Sequence, residues 1–346
     1  MRHRVLNPLA ALLLLSSAAQ AAAPVEADRF RSEAVFGAAR VLTMPPFTLQ
    51  ARPAPAVHAA PALCSGLDFS NVTWPASFSA EDKLALPSAL NITGSFEGAA
   101  GWGNITDNFD GQGLSLGLLN QNLGQGTLQP LLLKMRDDHP GVLSAGFSAP
   151  HRASLLGMLT QWETAMGPPR PAHYSRLDQP PSGGVILASP GDGASVDWAK
   201  ANLYAGAAFD PAWKAELVAL ALTPEYVSLQ VAEAVSLHEK AVGYESRIGI
   251  RELRAYLMLF DVVVQNGGLH PIDLTEYDDY VAANPSASVT AKLEKLLELR
   301  LRHVRRRFVA DVRARKRAII NGRGRVHGSD RDLPVQYCYD GAWPYK

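Results

Sequence analysis

Apolar residues recur at intervals of three and four through most of this chain. Ile250, Leu253, Leu257, Phe260 and Val264 fall on one helical face, and Asn266-Gly267-Gly268 supplies a stop. Leu293, Leu297, Leu301, Val304, Phe308 and Val312 draw a second stripe, which reads as one long Arg-rich helix entered through Asn284-Pro285-Ser286. Residues 211–220 and 223–240 also have helical spacing, and Ser88 to Phe96 reads as a helix after Pro87. Strand-like alternation is scarce, so the expectation is a mainly α domain.

Composition changes the picture at the start of the chain. Met-Arg-His-Arg, an apolar stretch from Val5 to Leu15 and small residues up to Ala21 have the layout of a secretory signal peptide over residues 1–21. That stretch is too short to span a membrane, which takes about 20 apolar residues, and no later segment of that length is free of charged and polar residues. Residues 22–63 are rich in Ala and Pro and read as a linker or pro-region. The folded domain is expected over residues 64–346, with a Pro/Gly/Ser-rich surface loop at 167–193. A secreted or periplasmic monomer is anticipated. In such a compartment the only two cysteines, Cys64 and Cys338, are expected to pair and tie the domain's start to its end.

The formal net charge is zero, so no global field points to nucleic acid. The nine histidines show no metal-ligand spacing, and neither metal nor cofactor is indicated. Candidate chemistry is concentrated instead in one short region. Glu97, followed by Gly98, would close the helix that includes Phe96. The negative helix end and apolar neighbours there would raise the pKa of its carboxyl, as a general acid requires. Asp110 lies in the Gly-rich run Asn108-Phe109-Asp110-Gly111-Gln112-Gly113, open to water and to backbone donors, and is expected to stay ionised. Two carboxyl groups in divergent environments are what glycoside hydrolysis uses.

The run from Glu97 through Asp110-Gly111-Gln112-Gly113-Leu114-Ser115-Leu116-Gly117 to Gly124-Gln125-Gly126 resembles the catalytic segment of glycoside hydrolase family 46, the chitosanases, within the lysozyme-like superfamily. Members carry a Glu at a helix end, a D-G-R-G-Y-T-x-G turn with the second carboxylate, and then a Gly-x-Gly loop. The stretch Leu253 to Gly267 is similar to the family's helix ending in a Tyr-Asp…Gln-His-Gly pattern. Together the two matches cover about a fifth of the mature chain. The resemblance implies a two-lobed lysozyme-like fold with a cleft between the lobes. It also implies Glu97 as general acid, Asp110 as the base activating water, Ser115 helping to hold that water, and an inverting outcome.

Departures from the family bear on substrate. Gln112 replaces the Arg of the turn, and Thr127 replaces an acidic residue after the Gly-x-Gly loop. Chitosan is a polycation, whereas Gln112, Asn120, Gln121, Asn122, Gln125 and Thr127 offer neutral groups suited to N-acetyl sugars. Peptidoglycan is therefore expected ahead of chitosan as the polysaccharide partner.

Other readings stay open. Gly113-Leu114-Ser115-Leu116-Gly117 fits G-x-S-x-G, the nucleophile elbow of serine hydrolases, although the residues upstream are too polar for a buried strand. A non-catalytic wall-binding protein is the alternative of another class. Arg300, Arg302, Arg305, Arg306, Arg307, Arg313, Arg315 and Arg317 are expected on a solvated helix face balancing acidic residues elsewhere. Asp261 and Gln265 are taken as structural.

Overall fold

The computed structural model describes Cys64, residues 66–166 and residues 189–346. The expected signal peptide, the linker up to residue 63 and residues 167–188 of the expected loop lie outside the described residues.

The first helix, α1 (Asp82–Glu97), starts five residues before Pro87 rather than after it. Its entry is fixed by reciprocal bonds: the Ser79 N–H donates to Asp82 Oδ2 at 3.1 Å and the Asp82 N–H to Ser79 Oγ at 3.1 Å. Ser79 thus supplies the capping oxygen that Glu81 does not. A small antiparallel sheet follows, made of β1 (Ile105–Thr106), β2 (Ser115–Leu116) and β3 (Gln121–Asn122). Thr106 pairs with Ser115 and Ser115 with Asn122, while Ile105 pairs with Leu116 and Leu116 with Gln121.

Next come α2 (Gln129–Asp138), α3 (Pro140–Gly146) and α4 (Ala149–Met166). Helix α5 (Pro190–Asn202) begins inside what the composition marks as loop. Ser189 and Asp192 form a full capping box, a helix-start signal that the surrounding Pro and Gly obscure. The hairpin of β4 (Tyr204–Ala205) and β5 (Ala208–Phe209) leads to α6 (Pro211–Ala221), whose first N–H groups are capped by Asp210. Helix α7 (Pro224–Ile248) is capped by Thr223 and stops at the left-handed Gly249.

Helix α8 (Leu253–Asn266) is buried without interruption from Ala255 to Val263 and ends at Gly267, as its pattern predicts. After α9 (Pro271–Ala283) the expected long helix is in fact two, α10 (Val289–Leu301) and α11 (Val309–Asn321). Between them Arg302 and His303 turn onto the buried Asp273 of α9, at 3.1 and 2.9 Å. The apolar stripe runs through this break, so spacing alone does not reveal it. The hairpin of β6 (Arg323–Val326) and β7 (Ser329–Asp332) and the short α12 (Leu333–Tyr337) close the chain.

The mainly α expectation holds. The apolar side chains gather into two clusters. One contains α1, most of α7, α8, α10 and α11; the other contains α2 to α6, with Leu114, Leu116 and Leu123 around the sheet and Tyr226 from the start of α7. Cys64 and Cys338 are disulfide-bonded, with a Cα–Cα distance of 5.3 Å and a sequence separation of 274. Beyond Cys338, the Tyr345 hydroxyl donates to Asp82 Oδ1 at 2.7 Å and Lys346 Nζ lies 2.7 Å from the same oxygen, so the chain end is locked to the start of α1. The buried Glu245 on α7 has its carboxyl pushed up to about 8 by burial.

Two expectations follow. Replacing Cys64 and Cys338 with Ser should cost about 2–5 kcal/mol, measured as a lower denaturant midpoint. Because the Glu245 carboxyl rises from 4.5 to about 8 on folding, its contribution is full below 4.5 and lost as pH climbs through 8. Glu245→Gln should therefore match the parent's melting temperature at pH 5 and exceed it at pH 9.

Candidate active site

Glu97 is the last residue of α1. The helix stops there because Asn104 folds back over Gly98, where any Cβ would fall 2.1 Å from Asn104 Oδ1. Asn104 Nδ2 donates to Asn120 Oδ1 at 2.9 Å and its backbone carbonyl accepts the Gly117 N–H at 2.8 Å. Asn120, at the β2–β3 turn with a left-handed φ of 51°, in turn donates from Nδ2 to Glu97 Oε2 at 3.0 Å. A pair of asparagines thus carries the orientation of the turn directly to the carboxylate.

The other oxygen of Glu97 has a cationic partner. Arg315 on α11 places Nη2 2.7 Å from Glu97 Oε1 and 2.5 Å from Asp261 Oδ1 on α8. Lys316 sits 2.7 Å from Asp261 Oδ2 and also donates to Gln265 Oε1. The Arg315 side chain is 3% exposed and those of Asp261 and Lys316 are 0%, whereas Glu97 keeps 17%. Charges therefore alternate from the interior outward as Lys316, Asp261, Arg315, Glu97, and only the last reaches solvent. Burial pushes the Asp261 carboxyl up, but Arg315 and Lys316 outweigh it and hold it low; burial also draws the Lys316 ammonium down. From Gln265 a further arm runs through Asp311 to His327 at the tip of the β6–β7 hairpin, with contacts of 2.6 and 2.5 Å. Arg331 of β7 donates to the Ser95 carbonyl at 3.2 Å, and the Arg315 and Arg331 guanidinium groups lie 5.2 and 5.6 Å from the Phe96 ring centre.

This arrangement corrects two expectations. The surroundings of Glu97 are not simply apolar, because a guanidinium touches it. Nor do the arginines all occupy a solvated face: Arg315 points inward, as does Arg300, which donates to the carbonyls of Asn266 and Gly268 at the end of α8. Arg302, Arg313 and Arg317 do pair with acidic partners at the surface. Arg315 and Lys316 were missed, though a signal for Arg315 exists. It falls three residues after Val312 and four before Ile319, within the buried stripe of α11, while Asp261 interrupts the apolar run of α8.

Asp110 closes a short 3-10 turn, Asn108–Asp110, between β1 and β2. Asp107 Oδ1 accepts the Phe109 N–H at 3.1 Å, Asn108 Oδ1 the Gly113 N–H at 2.6 Å, and Asp110 Oδ1 the Gln112 N–H at 3.0 Å. Gly111 has φ of 83°, the left-handed conformation that lets the chain reverse. The Tyr204 hydroxyl donates to the Gly113 carbonyl at 2.7 Å, tying the turn to the β4–β5 hairpin. Asp110 is exposed as a residue, yet desolvation by the turn's atoms pushes its carboxyl up, and the Asp107 charge adds to this. The Gln112 N–H acts in the opposite direction but is outweighed.

The Asp110 turn and the Asn120 turn flank β2 at opposite ends. Ser115 lies on β2, 4% exposed, and the strand after it is β3, so no strand-to-helix elbow is built around this serine. Most of the expected sugar-binding amides serve the fold instead. Asn122 and Gln125 bond to each other, Thr127 Oγ1 accepts the Asn122 N–H at 2.8 Å, and Gln121 is 6% exposed. Asn120 serves Glu97, and Gln112 is half-buried with its carbonyl accepting the Gly124 N–H. Asn122, Gln125 and Thr127 are thus paired within the turn, which leaves them little freedom to face a ligand.

No protein-family model matches this chain, and comparison with curated proteins finds no relative.

Arg315→Met should leave Asp261 with Lys316 as its sole cationic neighbour and should cost about 3–5 kcal/mol in urea denaturation. Arg313→Met, which removes a surface pair with Glu298, should leave the unfolding midpoint close to the parent's.

Proposed function

We propose that this chain is an exported glycoside hydrolase acting on a β-1,4-linked amino-sugar polymer, with peptidoglycan as the first candidate. The observation that carries the reading is the placement of two carboxyl groups at opposite ends of β2. Glu97 is held from one side by Asn120 and from the other by Arg315, with an edge open to solvent, and Asp110 stands on a hydrogen-bonded turn.

Glu97 delivers a proton to the glycosidic oxygen as the bond to the leaving sugar breaks, and the carboxylate this leaves is the form that Arg315 and Asn120 hold. Asp110 takes a proton from a water attacking the anomeric carbon from the opposite face, which inverts the configuration. A raised Asp110 carboxyl is a stronger base once ionised. The Ser115 hydroxyl, on the strand joining the two turns, is assigned to that water. The two apolar clusters would form the two lobes of a lysozyme-like fold, with the β-sheet turns at the groove between them. Export is supported by the Cys64–Cys338 disulfide, and no helix among the described residues is long and apolar enough to cross a membrane.

A second substrate is favoured by one feature. Asp107 and Asp110 put two exposed carboxyl groups on the same turn, which suits the ammonium groups of chitosan. Digestion of peptidoglycan and chitosan side by side, with mass analysis of the products, separates the two.

Glu97→Gln and Asp110→Asn should each lower turnover by about 10²–10⁴-fold without changing the circular dichroism spectrum. Near-parental activity in either would remove that residue from the mechanism. On the acid side, activity should fall at a higher pH than an ordinary aspartate would give. Asp107→Asn, which keeps the oxygen accepting from the Phe109 N–H but removes the charge, should move that limb of the pH–rate profile to lower pH.

A further inference from the structure

Phe109 is 75% exposed, the most exposed of the large apolar side chains among the described residues. It immediately precedes Asp110. Most isolated surface hydrophobes need no explanation, but this one is held outward by a turn built for the purpose. Its own N–H is bonded to Asp107 Oδ1, the residue before it accepts from Gly113, and Gly113 is fixed by Tyr204. The ring is therefore presented on a braced backbone. Two residues on, the turn is open as well: a Cβ placed on Gly111 would meet nothing within 4 Å.

We propose that the Phe109 ring is a stacking platform for one pyranose of the bound glycan, next to Asp110. The proposal rests on the glycosidase reading and adds the group that grips the sugar. A β-linked gluco-configured pyranose carries its ring substituents equatorially, so both of its faces present axial C–H bonds. Those faintly positive hydrogens meet the negative face of an aromatic ring. A galacto-configured sugar turns one hydroxyl axial and spoils one face. Peptidoglycan and chitosan are both gluco-configured, so the platform serves either substrate.

The test uses the full mature chain carrying Glu97→Gln, so that ligand is bound without turnover. Hexamers of alternating N-acetylglucosamine and N-acetylmuramic acid, and of glucosamine, are titrated by calorimetry. Adding Phe109→Ala should raise the dissociation constant about tenfold or more for the hexamer that binds, with an unchanged melting temperature. Phe109→Tyr and Phe109→Trp should retain tight binding, and Phe109→Leu, apolar but not aromatic, should behave like the Ala variant. Unchanged affinity in Phe109→Ala, or full affinity in Phe109→Leu, overturns the platform while the glycosidase reading stands. If the Glu97→Gln parent binds neither hexamer, the platform and the glycosidase reading fall together.

Discussion

The guanidinium of Arg315 is the contact on which the candidate site depends. It bridges Asp261, a fully buried acid of α8, and Glu97, the half-buried acid that ends α1. Removing a cation from water is costly unless it is paired, and here one nitrogen, Nη2, meets both carboxylates while the buried Nε has no partner. Arg315 also links three elements that are far apart in sequence. Helix α8 forms the centre of one apolar cluster, α11 carries the arginine, and α1 carries Glu97. A shift in the packing of α11 on α8 would therefore be transmitted to the Glu97 carboxylate with no flexible link between them.

The sheet completes the arrangement from the other side. Its strands are two residues each, too short to be stable by themselves, and the turns around them are held by side-chain amides. Asn104, Asn120 and Asn122 each bond across a turn, and Asn120 adopts a left-handed backbone conformation that few residue types tolerate. The richness in Asn, Gln and Gly after Asp110 is explained mainly by this local accounting of donors and acceptors. On the proposed reading, affinity for a sugar falls to groups the turn does not consume, of which the projecting ring of Phe109 is one.

Much of this was legible in the sequence. The stop of α8 at Gly267, the position of Glu97 at a helix end and the Gly-rich turn holding Asp110 all follow from nearest-neighbour chemistry. The start of α1 was misplaced because Pro87 was read as a helix entry, whereas Ser79 and Asp82 make the cap earlier. One continuous stripe concealed the break between α10 and α11, since the interruption is stabilised by Asp273 on another helix. The upward push on the Asp110 carboxyl was not legible for a related reason: the backbone donor is visible in a Gly-rich turn, but the atoms that crowd out water are not.

What the sequence determined by itself is periodic or local: helical spacing, caps, glycine turns and the separation of the two carboxyl residues along the chain. These depend on residues within a few positions of one another, and pattern reads them directly. Tertiary structure alone decided that Arg315 faces inward, that Lys316 is buried against Asp261, and that Asn122 and Thr127 bind their own turn. Each of those outcomes is a balance between lost hydration and charges or dipoles supplied by neighbouring side chains, many of them from distant segments. That balance has no value until the chain has folded and brought them within a few ångströms.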